Sequence, residues 1–499
     1  MIRKEDKEVI KAYLEDSSGI RDAFCEEVIF PESFEEAREF LRETAPKKIP
    51  VTISGGRTGV TGASLPYGGV ILATDRLNKI LEIGTNEKGG YVILEPGVRI
   101  AELEEEAKRF GLVYLPQPTE ENAFIGGTLS TNASGARGFK YGSTRNYVRR
   151  IKLILSSGDI LEIKRGENFS QNRSFVVKIG DKEKKIILPS YTVPPIKTSA
   201  GYFIKDNMDL IDLFIGQEGT LGLFGEIELS LAKKDKSIFG IILFFKEESK
   251  ALEIVHKIKE LSSLTRRGKI DTNIDAVSLE FFDYFSLELL RKKFSQIPLE
   301  VECALLVEQE YNQENQNEVL NEWVNFLDKK GILLENSWFS QTDKEKEFFQ
   351  EFRHALPELV NEIVRKRGFP KIGTDMAVPD EQFNSLYRFY KAILKESKLE
   401  YVIFGHIGDN HLHVNILPKN EEELIKTKEI YTEMAKKVVS LGGTISAEHG
   451  IGKLKHNYLE IMFGKKAITE MAYLKKQFDP YLILGLDNIF PKELLFKLT

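Results

Sequence analysis

The sequence predicts an α+β protein of two domains behind a short helical segment, on three observations. The chain has 499 residues, more than a single hydrophobic core usually serves. In its first half, short apolar runs mix with helical stretches without a regular strand–helix–strand alternation. In its second half, the order strand, helix, strand, helix suggests an antiparallel sheet with its helices on one face.

In chain order, residues 7–25 read as an opening helix with sparse apolar positions, within an N-terminal segment 1–28. Glu35 to Thr44 reads as a second helix, entered through Pro31-Glu32-Ser33. Ile49 to Ile53 and Val70 to Ala73 are short apolar strands divided by a glycine-rich stretch. Tyr91 to Leu94 is the next strand; after Pro96-Gly97 a helix runs from Ile100 to Phe110 and ends at Gly111. Ser156-Ser157-Gly158-Asp159, between Ile151–Leu155 and Ile160–Ile163, signals a hairpin. Residues 164–197 are polar, carry Pro189, Pro194 and Pro195, and read as an irregular insertion. The charged run Lys233-Lys234-Asp235-Lys236 marks a boundary, so domains are expected at 29–233 and 234–499. Beyond it, strands Ile238–Phe245 and Glu300–Val307 each lead into a helix, Glu247–Leu261 and Gln313–Lys330.

Composition excludes several classes. A net charge of −6 argues against a dedicated nucleic-acid binder, which carries a basic face. Two cysteines, Cys25 and Cys303, with no C-x-x-C, suit neither a disulfide framework nor an iron–sulfur cluster. The longest apolar run, Ile238 to Phe245, is too short to span a bilayer. The charged start Met-Ile-Arg-Lys-Glu-Asp is unlike a secretory leader. The expected location is cytoplasmic, with peripheral contact at the inner face of the membrane left open.

Two sets of residues carry chemistry. The first is glycine-rich: Ser54-Gly55-Gly56-Arg57-Thr58-Gly59-Val60-Thr61-Gly62, then Pro116-Gln117-Pro118-Thr119, then Ile125-Gly126-Gly127-Thr128-Leu129-Ser130-Thr131-Asn132-Ala133-Ser134-Gly135. Glycine lets backbone N–H groups approach an anion, and successive N–H groups form an anion nest. With Arg57 such loops can hold a pyrophosphate, and Thr58, Thr119 and Asn132 can bond to phosphate or a ring edge. Neither loop is a G-x-G-x-x-G fingerprint.

The second set holds four of the chain's 7 histidines. They lie in Gly405-His406-Ile407-Gly408-Asp409-Asn410-His411-Leu412-His413-Val414-Asn415 and in Ile445-Ser446-Ala447-Glu448-His449-Gly450-Ile451-Gly452. Histidine is the commonest metal ligand and titrates near neutral pH. On one continuous strand His406 and His413 would face opposite ways. Gly408-Asp409-Asn410 is turn chemistry and folds the run into a hairpin. His411 and His413 then share a face of the returning strand, and His406 can face them.

The glycine loops, with Lys140-Tyr141-Gly142 and Gly216-Gln217-Glu218-Gly219-Thr220-Leu221-Gly222, resemble the FAD-binding domain of the vanillyl-alcohol-oxidase/PCMH superfamily. The two histidine runs resemble the C-terminal domain of its D-lactate dehydrogenase, glycolate oxidase and D-2-hydroxyglutarate dehydrogenase branch. The resemblance spans about residues 30 to 490 and keeps the family's motif order. It implies a PCMH-type FAD-binding domain followed by an α+β substrate domain with an antiparallel sheet and a C-terminal metal and base site. It also implies FAD contacts from Ser54, Gly55, Gly56, Arg57, Thr58, Gly59, Gln117, Thr119, Gly126, Gly127, Asn132, Ala133, Glu218 and Gly219. No histidine falls in the glycine loops, so noncovalent FAD is expected. His406, His413 and Glu448 are implied as ligands of a divalent metal. Two histidines and a carboxylate suit zinc, manganese or iron.

The implied activity is oxidation of a D-2-hydroxy acid, D-lactate first, to the 2-oxo acid. The metal chelates the substrate, His449 takes the hydroxyl proton and hydride passes to flavin N5. Arg353, in Phe352-Arg353-His354-Ala355-Leu356-Pro357, is implied to grip the substrate carboxylate bidentately. Asn415 orients ligand or substrate. An electron acceptor, whether quinone, cytochrome or electron-transfer flavoprotein, completes the cycle; a homodimer is one assembly left open. Three departures from the family stand out. His411 replaces an asparagine, Arg57 stands where glycine is common, and Gly373 takes the place of a lysine found in D-2-hydroxyglutarate dehydrogenases. The competing readings are a non-redox transferase like alkylglycerone-phosphate synthase, a D-2-hydroxyglutarate or glycolate dehydrogenase, a metallohydrolase and a silent flavin subunit.

Overall fold

The computed structural model describes residues 1–332 and 337–497. They fall into two units. The first comprises Met1–Gly135, Gly142–Lys234 and Thr444–Thr499, and the second Ala136–Tyr141 and Asp235–Gly443. One boundary lies inside the charged run 233–236. The other differs from the sequence expectation of one domain over 234–499, because residues 444–499 return to the first unit. The reason is apolar packing. Ile483 and Leu484 are buried in one core with Val51, Leu72, Phe40 and Leu41. Val51 also donates its N–H to Ile483 O (2.8 Å) and accepts from Gly485 N (2.9 Å).

In the first unit, Val51–Ser54 and Glu27–Phe30 flank Val70–Ala73 in parallel, and Ile2–Lys4 adds an antiparallel edge. Helix Phe34–Thr44 starts at Ser33, whose hydroxyl accepts from Glu36 N (3.3 Å), as a serine N-cap should. A second sheet is antiparallel and runs Ile80–Asn86, Gly89–Leu94, Leu223–Lys233, Val148–Ile154, Ile160–Lys164. Two expectations are corrected. The opening helix covers only Lys7–Tyr13, because Asp16, Ser17, Ser18 and Gly19 are turn formers. The insertion 164–197 contains a hairpin, Ser174–Ile179 with Lys182–Ile187. Its alternation, Phe175 and Val177 inward with Val176 and Lys178 outward, is strand patterning.

The second unit is built on an antiparallel sheet in the order Trp338–Ser340, Ser237–Phe245, Cys303–Tyr311, Ala276–Phe282, Tyr401–Gly405, His411–Ile416, Ile372–Gly373, with Met376–Ala377 also on His411–Ile416. Helices cover both faces, not one. Phe352, Ala355 and Leu356 of helix Asp343–Arg367 pack with Phe282 and Leu306. On the opposite face Trp323 of helix Gln316–Lys329 bonds Gln309 (3.2 Å). Tyr387 of helix Phe383–Ser397 meets the Phe281 ring there at 5.8 Å. Alternate residues of Ala276–Phe282 are buried on both sides, so each face needs a cover. Among the described residues no helix is long and apolar enough to cross a membrane.

Candidate active site

The first unit gathers the glycine-rich segments. A Cβ on Gly56 would lie 3.0 Å from Asn122 O, one on Gly126 2.6 Å from Pro96 Cβ, and one on Gly135 2.4 Å from Gln117 O. Loop 54–59, Gln117 and helix Ile125–Thr131 therefore pack through positions where side chains do not fit. Gly55 has only the Phe124 side chain near its absent Cβ, at 3.8 Å, and Gly59 and Gly127 have nothing within 4 Å. The buried Ser54 hydroxyl has no hydrogen-bond partner. An unsatisfied hydroxyl beside open glycine backbone is a cradle for a phosphate-bearing group. Thr58 and Thr119 lie in these loops, and Ala133 O accepts from Thr144 N (3.0 Å).

Four residues expected to contact the cofactor also have neighbours within the chain. The Arg57 guanidinium lies 3.9 Å over the Tyr13 ring and 3.8 Å from Asp75, because helix Lys7–Tyr13 offers an aromatic face. Asn132, left-handed at φ 52°, accepts from Arg145 N (3.1 Å). Glu218 accepts from Ile451 N (2.8 Å) and Gly452 N (2.6 Å), while a Cβ on Gly219 would lie 3.6 Å from Ile53 Cβ. The Glu218 carboxylate thus clasps the turn that follows Glu448-His449.

That clasp carries a pH signature. Burial raises the Glu218 carboxyl from 4.5 to about 7, against the pull of the two N–H groups and of Lys455 and Lys453. Between those values the folded chain keeps a proton that the unfolded chain has released. Stability from this group is therefore largest below about pH 4.5 and falls as pH rises through about 7, by about 3 kcal/mol in all. Glu218→Gln is expected to flatten this slope. A variant whose urea midpoint follows pH as steeply as the parent between about 5 and about 8 would contradict it.

Glu448 and His449 sit on this clasped segment. Thr61 Oγ donates to His449 O (3.3 Å), and His449 Nε2 lies 3.7 Å from Glu448 Oε1. Lys197 Nζ reaches Glu448 Oε2 at 2.7 Å and Ser134 Oγ donates to it at 3.3 Å. Sequence reasoning missed Lys197; its signal is a lysine opening the run Lys197-Thr198-Ser199-Ala200-Gly201-Tyr202.

In the second unit the histidine run is a hairpin, Tyr401–Gly405 and His411–Ile416, joined through a 3₁₀ turn Ile407–Asp409. Asn410 is left-handed at φ 55°. Its side chain is pinned by Lys259 (2.5 Å), Val378 O (3.2 Å) and Asp380 (2.6 Å). Gly405 has φ +125°, and a Cβ there would stand 2.8 Å from the His413 ring, so glycine is required. Ring centroids are 5.4 Å apart for His406–His411, 5.5 Å for His406–His413 and 4.5 Å for His411–His413. One ring nitrogen from each of the three lies within 4.8 Å of the others.

Partners orient these rings. His406 Nδ1 donates to Glu280 Oε1 (2.6 Å) and His413 Nδ1 to Thr374 O (3.0 Å). His411 Nε2 lies 3.1 Å from Asp375 Oδ1. Acceptors behind metal-binding imidazoles fix the ring and its tautomer, so the donor set fits a divalent metal. Glu280 also lies 3.9 Å from Arg353 Nε, which brings Arg353 beside the hairpin. Glu280 was not found from sequence, although it is the one carboxylate in the buried strand Ala276–Phe282. Asn415 pairs with Gly373 and its buried Nδ2 has no partner. A Cβ on Gly373 would lie 2.7 Å from Asn415 Oδ1. Lys371, two residues earlier, is largely desolvated, which lowers its ammonium.

Residues 26–164 match the FAD binding domain and residues 252–486 the C-terminal domain of FAD linked oxidases. The chain belongs to the FAD-linked oxidase family. It is 28% identical over 487 residues to glycolate oxidase subunit GlcD of Bacillus subtilis, covering 96% of this chain and 92% of that one. It is 27% identical to D-2-hydroxyglutarate dehydrogenase of Stutzerimonas stutzeri (93% and 90% covered) and 28% to D-lactate dehydrogenase of Anaerostipes hadrus (93% and 88%). Among solved structures it resembles p-cresol methylhydroxylase with substrate bound, at TM-score 0.72 and 14% identity over 98% of this chain and 94% of that one. It also resembles alkyldihydroxyacetonephosphate synthase, at TM-score 0.65 and 16% identity over 97% and 81%. At such identities the likeness is one of fold. This FAD-linked oxidase is thus an oxidoreductase of the D-lactate, glycolate and D-2-hydroxyglutarate dehydrogenase branch with a PCMH-type fold.

Proposed function

We propose that the protein oxidises a small D-2-hydroxy acid, D-lactate first, to the 2-oxo acid, using noncovalent FAD and a divalent metal. The observation that carries this reading is the trio of imidazoles beside Arg353, with His406 and Arg353 both on Glu280. An α-hydroxy carboxylate offers a chelating oxygen pair to such a centre and a carboxylate to a guanidinium. Bound FAD supplies a two-electron acceptor for the α-hydrogen as hydride, and the bound metal, zinc, manganese or iron, supplies Lewis acidity toward the hydroxyl.

The protein's residues do the rest. His406 and His413 hold the metal, with Glu448 as the carboxylate ligand that the resemblance implies. Arg353 grips the substrate carboxylate and Asn415 orients the substrate. His449 receives the hydroxyl proton as the carbon–hydrogen bond breaks and the carbonyl forms. The glycine loops hold the cofactor phosphates through backbone N–H groups. The withdrawn side chain at Gly373 favours an acid with one carboxylate over 2-hydroxyglutarate. A quinone, cytochrome or electron-transfer flavoprotein then takes the electrons, in the cytoplasm or at the inner face of the membrane.

The test is spectroscopic. Pure protein is expected to be yellow and to bleach anaerobically with D-lactate but not L-lactate. Chelator should suppress the bleaching, and added zinc or manganese should restore it. Colourless protein, or flavin that no D-2-hydroxy acid reduces, would overturn the proposal.

A further inference from the structure

We infer that His411 is a metal ligand, so that the ion is held by three imidazoles, His406, His411 and His413, of a single hairpin. The inference rests on the metal-dependent reading above and adds a ligand to it. Two of the rings have one nitrogen hydrogen-bonded to an acceptor, Nδ1 of His406 to Glu280 (2.6 Å) and Nδ1 of His413 to Thr374 O (3.0 Å), and His411 Nε2 lies 3.1 Å from the Asp375 carboxylate. A neutral imidazole that donates from one nitrogen carries its lone pair on the other. The ligand atoms of the two flanking rings are therefore Nε2 of His406 and Nε2 of His413, and His411 offers one ring nitrogen within 4.8 Å of a ring nitrogen of each.

The geometry suits one ion. Nitrogens bound to a single tetrahedral zinc at about 2.0–2.1 Å stand roughly 3.3 Å apart. One nitrogen from each ring is already within 4.8 Å of the others, a gap that small side-chain rotations close. His406 and His411 are buried, His411 entirely, and His413 is part-buried. The ring centroids stand 4.5–5.5 Å apart. Three imidazole nitrogens backed by carboxylates and a carbonyl select zinc, cobalt, nickel or iron over magnesium and calcium.

The experiment uses full-length flavoprotein stripped of metal. Cobalt(II) is titrated into the parent, His411→Asn and His406→Asn, with flavin absorbance reporting an intact fold. His411→Asn is expected to weaken cobalt binding about tenfold or more and to change the visible cobalt bands. X-ray absorption of the zinc-loaded parent should count three imidazoles. If the parent binds cobalt, His406→Asn abolishes binding and His411→Asn leaves affinity and spectrum unchanged, His411 is no ligand although the oxidation reading stands. Two imidazoles in the zinc spectrum would likewise exclude His411 from the ligand set. A parent that binds neither ion overturns both readings.

Discussion

Replacing His449 by alanine is expected to lower turnover with D-lactate by about two to four orders of magnitude while FAD and metal content stay at parental levels. On the proposed reading His449 is the general base, and the structure shows how it is held. His449 is carried on a turn that is held from several sides: Thr61 bonds its carbonyl (3.3 Å) and Glu218 clasps the N–H groups of Ile451 and Gly452. A general base contributes through placement and protonation state, and removing it costs the proton-transfer term without touching cofactor affinity. Stopped-flow flavin reduction under saturating acid reads that step directly. The pH profile of the reductive half-reaction should also lose the limb that a base imposes. Near-parental reduction in the alanine variant would remove His449 from the mechanism. Equal loss of flavin would make it a structural residue.

Lys475→Ala is expected to destabilise the first unit by about 3–5 kcal/mol. Lys475 is buried at 1% exposure and Asp479 at 0%. The ammonium donates to Asp479 Oδ2 (2.7 Å), Thr220 O (2.8 Å) and Leu484 O (2.7 Å). Asp479 in turn accepts from Ile483 N (3.0 Å) and Leu484 N (2.9 Å). Burial lowers the lysine and Asp479 raises it again, as expected of a buried pair whose charges offset each other. Removing the cation leaves a buried carboxylate and two carbonyls without their donor. The damage should spread, because Leu484 continues into the backbone pairing with Val51, and Val51 opens the strand that ends at Ser54. A lower urea midpoint together with lost FAD is the expected result. The double variant Lys475→Met/Asp479→Asn should recover part of the loss, since replacing both charges is far cheaper than orphaning one. Parental stability in Lys475→Ala would show that the pair is not a pin.

Local chemistry was legible wherever neighbouring residues decide the outcome. Ser33 announces helix Phe34–Thr44 because a serine hydroxyl caps the N–H three residues on. Gly408-Asp409-Asn410 announces the histidine hairpin because a left-handed residue and a tight turn are what those side chains favour. The spacing of His411 and His413 then places both rings on one face. The same reasoning misread 164–197, where proline and charge outweighed the alternation of Phe175, Val176 and Val177.

The sequence by itself determined an α+β chain with two glycine loops and an imidazole hairpin, because turns, caps and strand alternation are contests among adjacent residues. Only the tertiary structure decided that residues 444–499 pack with the first unit, that Glu280 and Asp375 stand behind His406 and His411, and that Tyr13 and Asp75 engage Arg57. These contacts join residues far apart in the chain. Their energies come from which apolar faces meet and which buried charges find partners, and no short window of sequence contains that information.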